Sequence, residues 1–326
     1  MTPLFVDLIN LADARFGAAV VAANDEFFAE KERLLDPRAP IWIEDRYTDR
    51  GKWMDGWETR RRRDQGHDWC VVRLGGRAAL AGIDVETTHF KGNFPESCAL
   101  DVLNADAHQG DWDAAPWTEV LSRRPLQGHT HNYMALDARP IATHVRLRIF
   151  PDGGVARLRL YGDAQPDWEV LARRGEVDLA AAAHGGYVVV CSDMFFGHRQ
   201  HLILPGEART MGEGWETRRR RDGGHDWSIV RLAHRGRIHR VEIDTRLFKG
   251  NAPGACSLEG ASTSALDLQD PHIEWRALSG VLPLQPDALH VFEGDRLRAI
   301  DDVTHVRFNI FPDGGVARLR LIGRAS

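Results

Sequence analysis

The stretch THVRLRIFPDGGVARLRLYG, from Thr143 to Gly162, decides the fold class. Val145, Leu147 and Ile149 alternate with His144, Arg146 and Arg148; past Pro151-Asp152-Gly153-Gly154, Leu158 and Leu160 alternate with Arg157 and Arg159. Alternation with period two marks a strand with one buried face. Two such runs around a Pro-Asp-Gly-Gly turn predict a β-hairpin. The stretch returns as THVRFNIFPDGGVARLRLIG from Thr304 to Gly323.

Working outward, the rest of the chain repeats as well. GWETRRRRDQGHDW (Gly56 to Trp69) returns as GWETRRRRDGGHDW (Gly214 to Trp227), with Gln65 replaced by Gly223. The same offset of 158 brings HFKGN (His89 to Asn93) onto LFKGN (Leu247 to Asn251), Trp117 onto Trp275 and Pro125 onto Pro283. A gap of three then shifts the offset to 161. Upstream, Val6-Asp7-Leu8 meets Val177-Asp178-Leu179, and NDEFF at Asn24 resembles SDMFF at Ser192. A period of about 160 residues far exceeds that of solenoid repeats and indicates a duplicated domain. The halves are read as 1–165 and 166–326, with the boundary in the polar stretch Gly162 to Glu176, which carries Pro166 and Gly175. In each half, Ile83-Asp84-Val85-Glu86 and Val241-Glu242-Ile243-Asp244 alternate with acids on one face. Trp69 to Leu74 and Ala18 to Ala23 read as further buried strands, and Asp25 to Leu35 as a helix or a turn plus loop. The expected fold is all-β: two similar β-sandwiches of jelly-roll type.

Composition sets outer bounds. The chain has 326 residues and a formal net charge of −5, which gives no overall field to attract nucleic acid or an anionic membrane. The cysteines, Cys70, Cys98, Cys191 and Cys256, form no C-x-x-C pair, and Cys98 and Cys256 fall at matching positions of the repeat. Reduced thiols in a cytoplasmic protein are expected. Asp7, Asp13 and Arg15 break the apolar runs of the N-terminus, so no signal peptide is expected. No apolar run approaches the roughly 18 residues of a membrane span.

The charged segment admits two readings. Four consecutive arginines beside Glu58 and Asp64 form a solvated face. Alternatively they line an anion pocket, because a guanidinium fork matches a carboxylate. As an extended strand, the segment would put Glu58, Arg60 and Arg62 on one face and separate His67 from Asp68. An acid that orients His67 would then come from elsewhere, such as Asp84 or Glu86. Gly92 and Asn93 suit a turn, and Lys91 is less well explained by one. Asp152 and Asp313 read as turn residues, His144 and His305 as structural histidines, and Trp57 and Trp69 as core or pocket wall. No H-E-x-x-H, G-x-S-x-G or P-loop is present. His129 and His131 would place two imidazoles on one side of a strand, while the second half keeps His290 there, with Phe292 opposite His131. A metal would thus be confined to one half; no cofactor is expected.

Asp25 to Ala29, GKWMDGWETRRRR (Gly51 to Arg63), Gly66 to Trp69, the HFKGN turn and FPDGGVARLRLYG together resemble the allantoicase family, in both halves. The resemblance implies hydrolysis of allantoate to ureidoglycolate and urea in purine and allantoin breakdown. It also implies two jelly-roll domains akin to galactose-binding sandwiches, and assembly into a homo-oligomer. On that reading Arg60 and Arg62 hold the substrate carboxylate, beside Trp57. Glu58 and His67 exchange protons, Asp68 or Glu86 orients them, and Lys91 and Asn93 bind a ureido carbonyl. Glu216, Arg218, Arg220, His225, Lys249 and Asn251 mark a second site. Because His89 becomes Leu247 and Arg148 becomes Asn309, the second half is expected to be a degenerate copy. A non-catalytic, lectin-like ligand-binding sandwich is the alternative.

Overall fold

The computed structural model describes residues 2–105 and 110–326. Its contacts divide the chain into two units, 1–165 and 166–326. In the first unit the strands are β1 (Ile9–Asn10), β2 (Ala19–Ala23), β3 (Tyr47–Thr48), β4 (Gly51–Lys52), β5 (Trp57–Glu58) and β6 (Asp68–Glu86). They continue with β7 (Ser97–Leu103), β8 (Thr118–Pro125), β9 (His131–Ala135), β10 (Ile141–Phe150), β11 (Gly154–Val155) and β12 (Arg157–Ala164).

The stretches read separately as Trp69–Leu74 and Ile83–Glu86 are one 19-residue strand, β6. Its first part pairs with β2 on one side and β10 on the other, and β7 and β8 continue that sheet. Its last part pairs with β9 and β12, and β1 completes the second sheet. One strand therefore belongs to both layers of the sandwich. The core between them takes the alternating residues: Cys70, Val72, Ile83, Val85, Val145, Leu147, Ile149, Leu158 and Leu160 are all buried. Each such aliphatic side chain contributes about 1.5–3 kcal/mol on burial.

The hairpin expected around Pro151–Gly154 does not form. β10 and β12 both pair with β6, β10 mainly along its first part and β12 along its last, so the PDGG stretch carries the chain from one sheet to the other. The reason is long-range: each run finds a better-matched partner in β6 than in its sequence neighbour.

The second unit repeats the plan. After α1 (Trp168–Arg173) come β13 (Val177–Asp178), β14 (Tyr187–Cys191), β15 (Trp215–Glu216), β16 (Asp226–Asp244), β17 (Ala255–Ala261) and β18 (Arg276–Ala277). β19 (Leu282–Pro283), β20 (Leu289–Glu293), β21 (Val303–Phe311), β22 (Gly315–Val316) and β23 (Arg318–Ala325) follow. β16, again 19 residues long, pairs with β14 and β21 early and with β20 and β23 late. The helix α1 lies in the boundary stretch, where none was expected. Asp167 caps it by accepting from Val170 N at 3.1 Å, just after Pro166. The Asp25–Leu35 stretch forms only a 3-10 turn over Lys31–Leu35. Among the described residues no helix is long and apolar enough to cross a membrane.

Candidate functional site

Three repeated motifs meet in each unit. β5 pairs with β11, setting Glu58 opposite Gly154 and Trp57 opposite Val155. Thr59 and Gly153 exchange hydrogen bonds: Thr59 N donates to Gly153 O at 3.2 Å, and Gly153 N donates to Thr59 Oγ1 at 3.1 Å. The FKGN turn closes on the same place, with Gly154 N donating to Asn93 O at 2.7 Å. Only glycine fits here. Gly153 has φ +136°, and a Cβ on Gly154 would lie 1.9 Å from the Phe90 ring. The second unit repeats the junction through Thr217, Gly314, Gly315 and Asn251.

The charged segment is tied down by acids. It is a strand only at Trp57–Glu58; the rest is irregular up to β6. Trp57 is fully buried and donates its indole N–H to Asp25 O at 2.8 Å. Arg60 donates its backbone N–H and its Nε to the two oxygens of Asp25, at 2.9 and 2.7 Å, and its side chain stays 64% exposed. Arg62 turns its fork onto Asp64 at 2.8 and 2.9 Å and reaches the buried Asp68 with Nη1 at 2.6 Å. Its backbone N–H goes to Asp152 at 2.8 Å, so that turn residue also clamps the segment. The guanidinium faces of Arg60 and Arg62 are thus already engaged by carboxylates. A cavity of about 380 Å³ in this unit is lined by other arginines, Arg33, Arg46 and Arg50, beside Trp53.

Glu58 is half-buried and accepts from Asn93 Nδ2 at 2.6 Å. Burial raises its carboxyl above the usual range, and the Asn93 bond offsets part of that. His67 packs on Phe150, with ring centroids 4.9 Å apart. Burial, then Arg148 and Arg146, lower its pKa. Asp68 pairs with Arg62 and Asn24. Lys91 is exposed on its turn. In the second unit Glu216 accepts from Asn251, Arg218 binds Asp193, Arg220 binds Asp222 and Asp226, His225 meets Asn309 at 3.3 Å, and Lys249 lies 3.8 Å from Asp287.

A second cluster forms on the outer face of the β9–β6–β12 sheet. The register sets His131 and Arg157 beside Glu86, and Tyr133 and Arg159 beside Asp84, all on one face. His131 Nδ1 lies 2.7 Å from Asp84 Oδ2, and its Nε2 lies 3.7 Å from Glu86 Oε1. The Arg159 guanidinium donates to Glu86 Oε2, and Thr88 Oγ1 donates to Glu86 Oε1 at 2.7 Å. The Tyr133 ring stacks on His131, with centroids 5.4 Å apart. Both carboxylates are buried, while His131 is exposed. Burial pushes the Asp84 carboxyl up, and the His131 hydrogen bond only partly offsets this. Burial acts on Glu86 too, but Arg159 and Thr88 outweigh it and hold that carboxyl below the usual range. Asp84 and Glu86 therefore face His131; His67 sits against Phe150 and the arginines of β10. His89, which follows Thr88 in sequence, sets its Nε2 3.3 Å from Pro40 O and its ring 5.8 Å from that of Trp42.

The second unit lacks this arrangement, and the strand register corrects the sequence alignment. Leu289 stands opposite Asp244 as His131 stands opposite Glu86, so His131 corresponds to Leu289, and His290 to Asn132. The offset is still 158 here, and the three-residue gap falls later. Asn132 and His290 do the same work: each accepts from the backbone N–H five residues earlier, at 2.8 Å. Where Thr88 gives Glu86 a single hydrogen bond, Arg246 closes its fork on Asp244 at 2.9 and 2.7 Å. Sequence reasoning named Asp84, Glu86 and His131 separately but did not join them. The alternation of acids in Ile83–Glu86 was the available signal.

The family model for the allantoicase repeat matches residues 9–165 and 177–326. A protein named probable allantoicase 2 from Burkholderia pseudomallei (strain K96243) is 48% identical over 318 residues, covering 97% of this chain and 94% of that one. A probable allantoicase from Photobacterium profundum is 45% identical, covering 98% and 97%. The crystal structure of allantoicase from Saccharomyces cerevisiae matches with a TM-score of 0.81 at 32% identity, over 97% of this chain and 92% of that one. The chain belongs to the allantoicase family.

Proposed function

We propose that this enzyme hydrolyses allantoate to ureidoglycolate and urea in purine breakdown, and that the first half carries the chemistry on the outer face of the β9–β6–β12 sheet. The family supports the reaction. One observation supports the place: two buried carboxylates, an imidazole and a guanidinium converge there, and the matching face of the second half has Leu289 and Arg246 instead.

Allantoate carries a carboxylate and two ureido groups on one carbon. Breaking a C–N bond needs a proton on the leaving nitrogen, and water must lose one as it attacks. The lone pairs of Asp84, Glu86 and His131 bind and activate a water, and Arg159 holds Glu86 in place. Glu58, Asn93, Arg62 and Asp68 hold the motif junction, as Glu216, Asn251, Arg220 and Asp226 do in the second half. A cytoplasmic location and a homo-oligomeric state belong to the same proposal. Free cysteines support the first and the family likeness the second.

Urea release from allantoate by the purified chain tests the reaction. His131→Leu, which copies the second half, is expected to lower turnover by about 100-fold or more. A folded wild-type chain that releases no urea sinks the reaction. A fully active His131→Leu variant sinks the assignment of the chemistry to this face.

A further inference from the structure

We propose that Asp84, Glu86 and His131 form a divalent-cation site in the first half. One donor atom from each lies within 4.8 Å of the others. His131 Nε2 and Glu86 Oε1 are 3.7 Å apart, a gap that two bonds of about 2.1 Å bridge at an open angle. Asp84 supplies the independent sign. It is 1% exposed, and its Oδ1 is buried with no hydrogen-bond partner among the described residues, although Oδ2 meets His131. A buried carboxylate oxygen without a partner carries a desolvation cost that a cation removes.

The surroundings suit a held ion. Thr88 and Arg159 orient Glu86 from outside, as outer partners of metal ligands do. With His131 neutral, two carboxylates and one guanidinium leave a single negative charge, so the cluster favours a cation over an anion. Carboxylates suit Mn2+ and imidazole suits Zn2+ and its neighbours, so the mixed set takes a first-row divalent ion, with Mn2+ as the probe. In the second half the site is closed: Leu289 offers no donor, and Arg246 occupies Asp244.

This site deepens the proposed placement of the chemistry and rests on it, but binding is measured apart from turnover. Full-length protein, stripped with chelator and dialysed, is titrated with Mn2+, following the loss of the free-ion EPR signal. The expected result is one tight equivalent per chain. Asp84→Asn, Glu86→Gln and His131→Leu are each expected to weaken it by at least about 10–100-fold, while Asp244→Asn leaves it unchanged. Circular dichroism confirms that each variant is folded. No equivalent above the His131→Leu background means that only water fills the place, and overturns the site. Binding unaltered in all three folded ligand variants overturns it too. Mn2+ bound by a chain that releases no urea upholds the site and sinks the allantoate reading. Urea released by a chain that binds no Mn2+ does the reverse.

Discussion

Glu86 and Asp244 hold the same position in two copies of one strand, yet their neighbours differ. Glu86 faces His131 and a threonine; Asp244 faces Leu289 and is gripped by Arg246. At the motif junction the two halves agree, with Glu58–Asn93 repeated as Glu216–Asn251 and Arg62–Asp68 as Arg220–Asp226. Within this duplicated chain, then, the junction is alike in both copies, and the outer face of the long strand is where they diverge. The connection before β5 shows the same split. Ala29 pairs with Glu58 across 29 positions, whereas Gly197 pairs with Glu216 across 19. The longer connection carries Trp42, which meets His89.

The shared framework is where the largest effects are expected. Trp57→Ala and Trp215→Ala each empty a fully buried site and should cost about 3–5 kcal/mol, by similar amounts, in guanidinium unfolding. A large inequality between them would mean the two junctions are not equivalent. The contrast between the faces is sharpened by the reciprocal exchange. His131→Leu should lose about 100-fold or more in urea release, and Leu289→His should add no second active face, because Arg246 still covers Asp244.

Glu58→Gln and Glu216→Gln keep the bond from asparagine and should each cost about 1 kcal/mol or less, with turnover within about tenfold of wild type. A 100-fold drop for Glu58→Gln alone would return proton transfer to the arginine-rich segment. The smallest effect concerns His305, buried beside Thr304 and lowered to about 4 by burial and then by Arg231. Its folded pKa lies below the unfolded value of about 6.5, so the unfolded chain binds the extra proton first. Stability from this group is complete above pH 6.5 and declines as pH falls toward 4. His305→Gln should flatten that part of the thermal midpoint's pH profile by a few degrees.

The duplication, the all-β class and the core strands were legible because they rest on local alternation: Val145, Leu147 and Ile149 are buried as their spacing predicts. The pairing of those strands was not. Whether the runs flanking Pro151 join each other or both join β6 depends on residues about 70 positions away, which local turn chemistry does not see. The same limit hid the cluster. A gap placed too early set Phe292 against His131, and only the register of β9 and β20 shows that Leu289 stands there. The arginines show the same limit: their type points to a substrate carboxylate, while the structure sets acids two and six positions on against the Arg62 guanidinium.

The strand common to both sheets has one more consequence. Neither layer of a unit can peel away without breaking β6 or β16, so partial opening costs nearly as much as complete loss of that unit. Amides of β2 and β9, which flank opposite ends of β6, should accordingly exchange with deuterium at one shared slow rate.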